Sequence, residues 1–107
     1  MSEQMATARN PITPEEALEL LKEGNRRFLA DAPYNPPMDR LHRLHLAAAQ
    51  QPFAAYLSCS DSRVPPELLF ERGLGELFIV RNAGNTLCAT ALGSLEFAVT
   101  QLQVPLI

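Results

Sequence analysis

The sequence predicts an α/β protein built on a parallel β-sheet, and two observations carry that prediction. Short apolar runs at 53–57, 77–80 and 104–107 read as buried strands, and helical segments fill the intervals between them. Strand, helix, strand, helix, strand is the order that makes right-handed crossovers, with flanking helices covering the sheet. The 107 residues, 47% of them hydrophobic, suit one domain or a piece of one, with enough apolar mass for a core.

An N-terminal helical arm is expected over residues 1–50, with 51–107 forming the first part of the α/β unit. Thr13-Pro14-Glu15-Glu16 opens the first helix with a threonine cap, a proline at the first helical position and a glutamate that can close a capping box. Leu18, Leu21, Phe28 and Leu29 supply its apolar stripe, and Gly24 weakens it. Pro33, Pro36 and Pro37 read as a linker. A second helix is expected from Asp39 to Gln50, with Leu41, Leu44 and Ala48 on one face.

From Gln51 onward the pattern changes. The run Phe53–Leu57 ends at Ser58-Cys59-Ser60-Asp61, which fits a buried strand entering a loop, and Pro65-Pro66-Glu67 then opens a short helix through Phe70. Arg72-Gly73-Leu74-Gly75 is a turn signal. Leu77–Val80 is a second strand, closed by Arg81-Asn82-Ala83-Gly84-Asn85. A longer helix follows, carrying Leu92, Leu95, Val99 and Leu102 along one side. Pro105 stops it, and 104–107 opens a third strand.

Charge narrows the partners. A net charge of -3 and a pI near 5.3 provide no basic field for nucleic acid or anionic lipid, which leaves a small molecule or a protein. The start Met1-Ser2-Glu3-Gln4 lacks a basic segment followed by an apolar one, and no stretch is long enough to span a bilayer, so the expected setting is cytoplasmic. There the two cysteines, Cys59 and Cys88, are expected to be free thiols or metal ligands rather than a disulfide.

Ligands of parallel sheets gather beyond the carboxyl ends of the strands, and Cys59 and the 81–85 loop fall at two such ends. A cysteine in a loop leading to a helix N-terminus sees partial positive charge that favours the thiolate, which makes Cys59 a nucleophile or a metal ligand. A nucleophilic thiol needs a base, and both histidines, His42 and His45, lie back in the second helix. A catalytic zinc takes about three protein ligands and leaves one position to water. Beside such a site, Asp61 can accept a hydrogen bond from the hydroxide and Arg63 can hold Asp61 ionised. Released by Arg63, Asp61 can instead bind the metal. The same spacing also suits a helix cap at Asp61 with a surface ion pair to Arg63, and these three residues alone leave both readings open.

Longer segments favour the metal. Cys59-Ser60-Asp61-Ser62-Arg63-Val64-Pro65-Pro66-Glu67, Gly75 through Asn85, and Ala91 through Val99 resemble the β-class carbonic anhydrases, in order. Pro14-Glu15-Glu16-Ala17 and Gly24-Asn25-Arg26-Arg27-Phe28 resemble the first helix of that family. The resemblance implies Zn2+ as cofactor, Cys59 as a ligand, Asp61 and Arg63 as the dyad beside the metal, and reversible hydration of carbon dioxide to bicarbonate. It also implies a homodimer or larger assembly in which N-terminal helices reach across to a neighbour.

The sequence departs from the family in two places. Two further zinc ligands are expected from a His-x-x-Cys element just after the strand near Val104; the sequence given ends at Ile107 and contains no such element, so these 107 residues alone are expected to be inactive. His42 and His45 are expected to be surface or packing residues, and Cys88 a small buried one. Tyr56 stands where one subgroup has the tryptophan of a non-catalytic bicarbonate pocket. Arg81 matches the arginine of that pocket, or simply ends a strand and makes surface or interface ion pairs. Two other functions fit: a zinc hydrolase of carbon disulfide or carbonyl sulfide, and a non-catalytic relative acting as an interaction module through the apolar end Val104-Pro105-Leu106-Ile107.

Overall fold

The computed structural model describes residues 11–32 and 36–107, so the expectations for Met1–Gln4 and Pro33 lie outside the described residues. Its elements are α1 (Pro14–Leu29), α2 (Arg40–Leu46), β1 (Ala54–Cys59), α3 (Pro66–Leu69), β2 (Leu77–Asn82) and α4 (Ala89–Thr100). β1 and β2 pair in parallel, from Ala54 beside Leu77 to Cys59 beside Asn82. Both strands run two residues past their apolar stretches, and that extension brings Cys59 and Arg81 into the ladder.

Successive side chains of a strand face opposite sides of a sheet, and here each side takes one long helix. Ala54, with Phe53, packs under Ala17 and Leu21 of α1, joined by Phe70, Leu77 and Leu106. Ala55 faces the other way, against Leu95 and Ala98 of α4, Leu102 just past its end, and Val104, Leu57, Phe78 and Val80. The result is helix, sheet, helix. Alanines at the contacts let both helices sit close, and burial of each core leucine contributes about 2 kcal/mol.

The third strand does not form among the described residues. The chain returns beside β1 and the Leu106 carbonyl accepts from the Ala55 N–H at 2.9 Å, but 104–107 holds no ladder. Pro105 has no N–H to donate, which removes one rung at the point where pairing would begin.

α1 begins as expected: the Thr13 hydroxyl accepts from the Glu16 N–H at 3.1 Å, and the Glu16 carboxylate accepts from the Thr13 N–H at 2.9 Å. Its buried face, however, is Ala17, Leu21 and Gly24, while Leu18, Phe28 and Leu29 are exposed, Leu29 by 72%. Gly24 is a contact point rather than a weak one. A β-carbon there would collide with the Phe70 carbonyl, and the neighbouring Asn25 Nδ2 donates to the Leu69 carbonyl at 3.0 Å. The helix is seated by its smallest residue.

Similar shifts occur elsewhere. α2 has seven residues, capped by Asp39, and none of its side chains is buried; Leu41 is 76% exposed, and Leu44 and Ala48 are exposed too. Pro52, fully buried, disfavours helix at Gln51, and the chain uses the residues after Leu46 to cross into β1. α4 buries Ala91, Leu95, Ala98 and then Leu102, leaving Leu92 and Val99 outside. Spacing located the helix, but alanines, not leucines, mark half of its inner face.

One charge is buried with purpose. Arg72, with a side chain only 6% exposed, lies over the Phe53 ring at 5.5 Å and donates to the Leu20 carbonyl at 2.6 Å. Glu76 at 3.6 Å and Glu23 at 3.9 Å supply the opposing charge, so the group ties α1 to the turn before β2.

Gly24→Ala lowers stability in urea denaturation despite alanine's better helix propensity, whereas Gly93→Ala in α4, where nothing lies within 4 Å, raises it by up to about 1 kcal/mol. The capping hydrogen bonds from Thr13 hold the Glu16 carboxyl below its ordinary range. Its contribution is therefore present above the unfolded carboxyl pKa of about 4.3 and is lost as pH falls through the lower folded value. The stability deficit of Glu16→Ala at neutral pH should shrink on acidification, as read by thermal melts across that window.

Candidate active site

The parallel register places the ends of both strands at one level, so the loops after Cys59 and Asn82 leave side by side. The Ser60 N–H donates to the Asn82 carbonyl at 2.8 Å, carrying the ladder one residue past β1. On the β2 side, the Asn82 side chain staples its own loop: Oδ1 accepts from the Thr86 N–H at 2.6 Å and Nδ2 donates to the Thr86 carbonyl at 2.8 Å. That staple encloses Gly84, whose φ of +82° suits glycine.

Gly84 aims its N–H at the Cys59 Sγ, 3.3 Å away, and the Asp61 N–H approaches the same sulfur at 3.4 Å. These donors, Gly84 first, hold the Cys59 pKa below the usual thiol value, against burial and the Asp61 carboxylate, which push it up. The expected helix field has a different source. α3 is only four residues long and begins after Pro65, and it is the two loop amides that face the sulfur.

Asp61 and Arg63 are joined by three hydrogen bonds. Asp61 Oδ1 accepts from the Arg63 N–H at 2.8 Å and from Nε at 3.0 Å, and Oδ2 accepts from an Arg63 terminal nitrogen at 2.7 Å. Arg63 thereby holds the Asp61 carboxyl below the usual range, with the Arg81 charge adding a smaller effect, and Asp61 raises the Arg63 pKa in return. The helix-cap alternative is not realised, since α3 has no side-chain cap and Asp61 closes only the turn to Val64. The ion pair is realised, and with Arg63 85% exposed it is screened by solvent and adds little to stability. Its consequence is a carboxylate kept ionised and fixed in orientation.

Arg81 makes a connection that sequence reasoning missed. Its Nε donates to the Cys59 carbonyl at 2.8 Å and a terminal nitrogen to the Asp61 carbonyl at 2.7 Å. The expected surface ion pair is replaced by a clamp on backbone. Only the pairing of Arg81 with Ser58 across the ladder could have revealed it, and register is not visible in one strand alone.

Cys59 is half-buried and free, and Cys88 is free and exposed rather than buried, because it occupies the N-cap position of α4, ahead of the packed helix face. His42 places Nε2 2.8 Å from the Leu74 carbonyl, a packing role, and His45 is exposed. Tyr56 rests against Phe70 with ring centroids 5.4 Å apart. Among the described residues, no group of three or more His, Cys, Asp and Glu side chains could hold a metal. Zinc nonetheless fits Cys59 as one ligand: a soft sulfur, partly exposed and biased toward thiolate. Asp61 has both oxygens engaged by Arg63 and fits as a ligand only after that pair opens.

The amides on the sulfur make a prediction independent of any metal. With metal removed, alkylation of Cys59 by iodoacetamide should rise with an inflection below that of an unstructured thiol. An inflection at or above the free-thiol value would show that the Gly84 and Asp61 amides do not act on it.

The family model described as carbonic anhydrase matches residues 54–107. Carbonic anhydrase 2 of Mycobacterium tuberculosis is 50% identical over 98 residues, covering 92% of this chain and 46% of that protein. A carbonic anhydrase of Pseudomonas aeruginosa is 43% identical over 88 residues, covering 77% of this chain and 39% of its own length. Among solved structures, a Coccomyxa β-carbonic anhydrase in complex with acetazolamide superposes with a TM-score of 0.58 at 32% identity, over 81% of this chain and 39% of that one. The chain thus spans about half the length of the curated relatives it matches. With residues 54–107 matched and the parallel sheet shared, the chain belongs to the carbonic anhydrase family, in its β class.

Proposed function

We propose that the protein containing this chain catalyses the reversible hydration of carbon dioxide to bicarbonate with zinc as cofactor. In this reading Cys59 is a metal ligand, and Asp61 and Arg63 are the catalytic dyad. The observation that carries it is the pairing of an amide-stabilised sulfur with a carboxylate that Arg63 grips through three hydrogen bonds. Such a pairing adds little to folding and suits ion and solvent chemistry. Residues 1–50 would form the arm and 51–107 the first part of the zinc-binding domain. A homodimer or larger assembly in the cytoplasm completes the proposal; no helix among the described residues is long and apolar enough to cross a membrane.

When bound, zinc lowers the pKa of its water to about 7 and so supplies a nucleophile at neutral pH. This chain's own residues set the conditions around it. The Gly84 and Asp61 amides hold the Cys59 sulfur in direction and favour its anionic form. A carboxylate offers about four acceptor sites, and Arg63 takes three of those on Asp61. The remaining site, on Oδ2, can accept a proton donor from solvent and orient its oxygen toward the substrate carbon. If Arg63 released Asp61, the carboxylate would instead be free to bind the metal and exclude solvent. Hydrolysis of carbon disulfide or carbonyl sulfide would use the same groups, and substrate competition separates the two.

The described residues alone offer fewer than three grouped ligands, and in this reading the family's His-x-x-Cys element would complete the set. The 107-residue polypeptide alone should retain no stoichiometric zinc and hydrate no carbon dioxide, whereas the full gene product should do both, by metal analysis and stopped-flow pH change. In that product, Asp61→Asn should reduce kcat/KM by about 10- to 100-fold with zinc retained, and Cys59→Ala should lose the metal. A zinc-free wild-type protein with unchanged Cys59→Ala behaviour would leave the non-catalytic interaction module as the reading, although of its apolar end Val104 is buried and Leu106 packs on the core, which leaves Ile107 as the exposed part.

A further inference from the structure

Arg63 and Arg81 both serve the Cys59–Asp61 segment, but they grip different things. Arg63 is 85% exposed and holds the Asp61 side chain. Arg81 is half-buried, extends from the penultimate position of β2, and holds the carbonyls of Cys59 and Asp61, one on each side of Ser60. Between these two carbonyls, the Ser60 N–H is bound to the Asn82 carbonyl. Three hydrogen bonds from two consecutive residues of β2 therefore fasten the backbone that carries the sulfur and the carboxylate.

We infer that Arg81 is a positioning residue. By clamping the Cys59 and Asp61 carbonyls it fixes the turn that directs the sulfur and the carboxylate, whether or not Arg63 is paired with Asp61. The need for such a clamp is physical. A strand end frays where its ladder stops, and the segment after Cys59 keeps only the Ser60 rung on β2. Arginine suits the task because two of its donors, Nε and a terminal nitrogen, lie in a rigid plane and reach carbonyls two residues apart, and hydrogen bonds from a charged donor are the stronger kind. Lysine would keep the charge and lose the fork. The clamp also commits these two donors to backbone, so an anion approaching Arg81 must use its remaining N–H groups or displace the turn.

The division of labour has a consequence for the dyad. Asp61 can exchange Arg63 for another partner by side-chain rotation while its backbone stays held, so the carboxylate can move without carrying the sulfur with it. The catalytic part of this inference rests on the carbonic anhydrase reading; the structural part does not.

The test compares Arg81→Met, Arg81→Lys and Arg63→Met in the full-length protein as purified. Amide hydrogen exchange at Ser60 and Gly84 should quicken by about tenfold in Arg81→Met and by less in Arg81→Lys, with core amides of α1 such as Leu21 unchanged. Arg63→Met should leave Ser60 within about twofold of wild type. In carbon dioxide hydration, Arg81→Lys should lower kcat while KM stays within about twofold. Unchanged exchange at Ser60 and Gly84 in both Arg81 variants overturns the inference, as does loosening spread equally to α1 or a loss confined to KM. If Arg81→Met does not fold, Arg81→Lys decides by the same criteria. A wild-type protein without hydration activity refutes the proposed function, while the exchange data still decide the clamp.

Discussion

The parallel register of β1 and β2 is the constraint on which the site depends. Because Cys59 lies beside Asn82, the loop after each strand begins at the same height, and Gly84 can reach the sulfur while Arg81 reaches the carbonyls beneath it. A slip of one residue would turn each side chain to the opposite face and break every one of these contacts. The register is held from the core, not from the site. Ala54 and Ala55 must face α1 and α4 respectively, and no neighbouring alignment satisfies both helices.

Small residues do much of this work. Ala17 seats α1 on the sheet and Gly24 seats it against the Phe70 carbonyl at the end of α3, while Ala91 and Ala98 lie on the buried face of α4. The larger apolar residues at Leu29, Leu41, Leu87 and Leu92 are left on the surface. Close approach gains dispersion contacts along the whole interface, which scattered large side chains could not supply without holding the layers apart. Arg72 adds a directional element, since a buried guanidinium demands partners and finds them on α1, on Phe53 and on Glu76.

At the strand ends the balance shifts from packing to electrostatics. The sulfur is favoured as an anion by two amides, the carboxylate is favoured as an anion by Arg63, and the backbone joining them is held by Arg81. Two negative groups two residues apart repel, and Arg63 and, more weakly, Arg81 offset that by favouring the ionised Asp61. Arg63 stands in solvent and holds only the Asp61 side chain; Arg81 is half-buried and holds backbone.

Much of this was determined by local sequence. The capping box at Thr13, the strand signals before Cys59 and Arg81, the short proline-opened helix and the grouping of Cys59, Asp61 and Arg63 follow from nearest-neighbour chemistry, which a single stretch of chain contains in full. Tertiary structure decided which helix faces are buried, that Gly24 is a contact, that 104–107 touches β1 through Leu106 without forming a ladder, and that Gly84 and Arg81 serve Cys59. Periodicity identifies a helix but tolerates a rotation of one residue, and the choice falls to whichever rotation lets the smallest side chains meet the sheet. Contacts between residues more than twenty positions apart depend on register, which is a property of two strands together and is encoded in neither one.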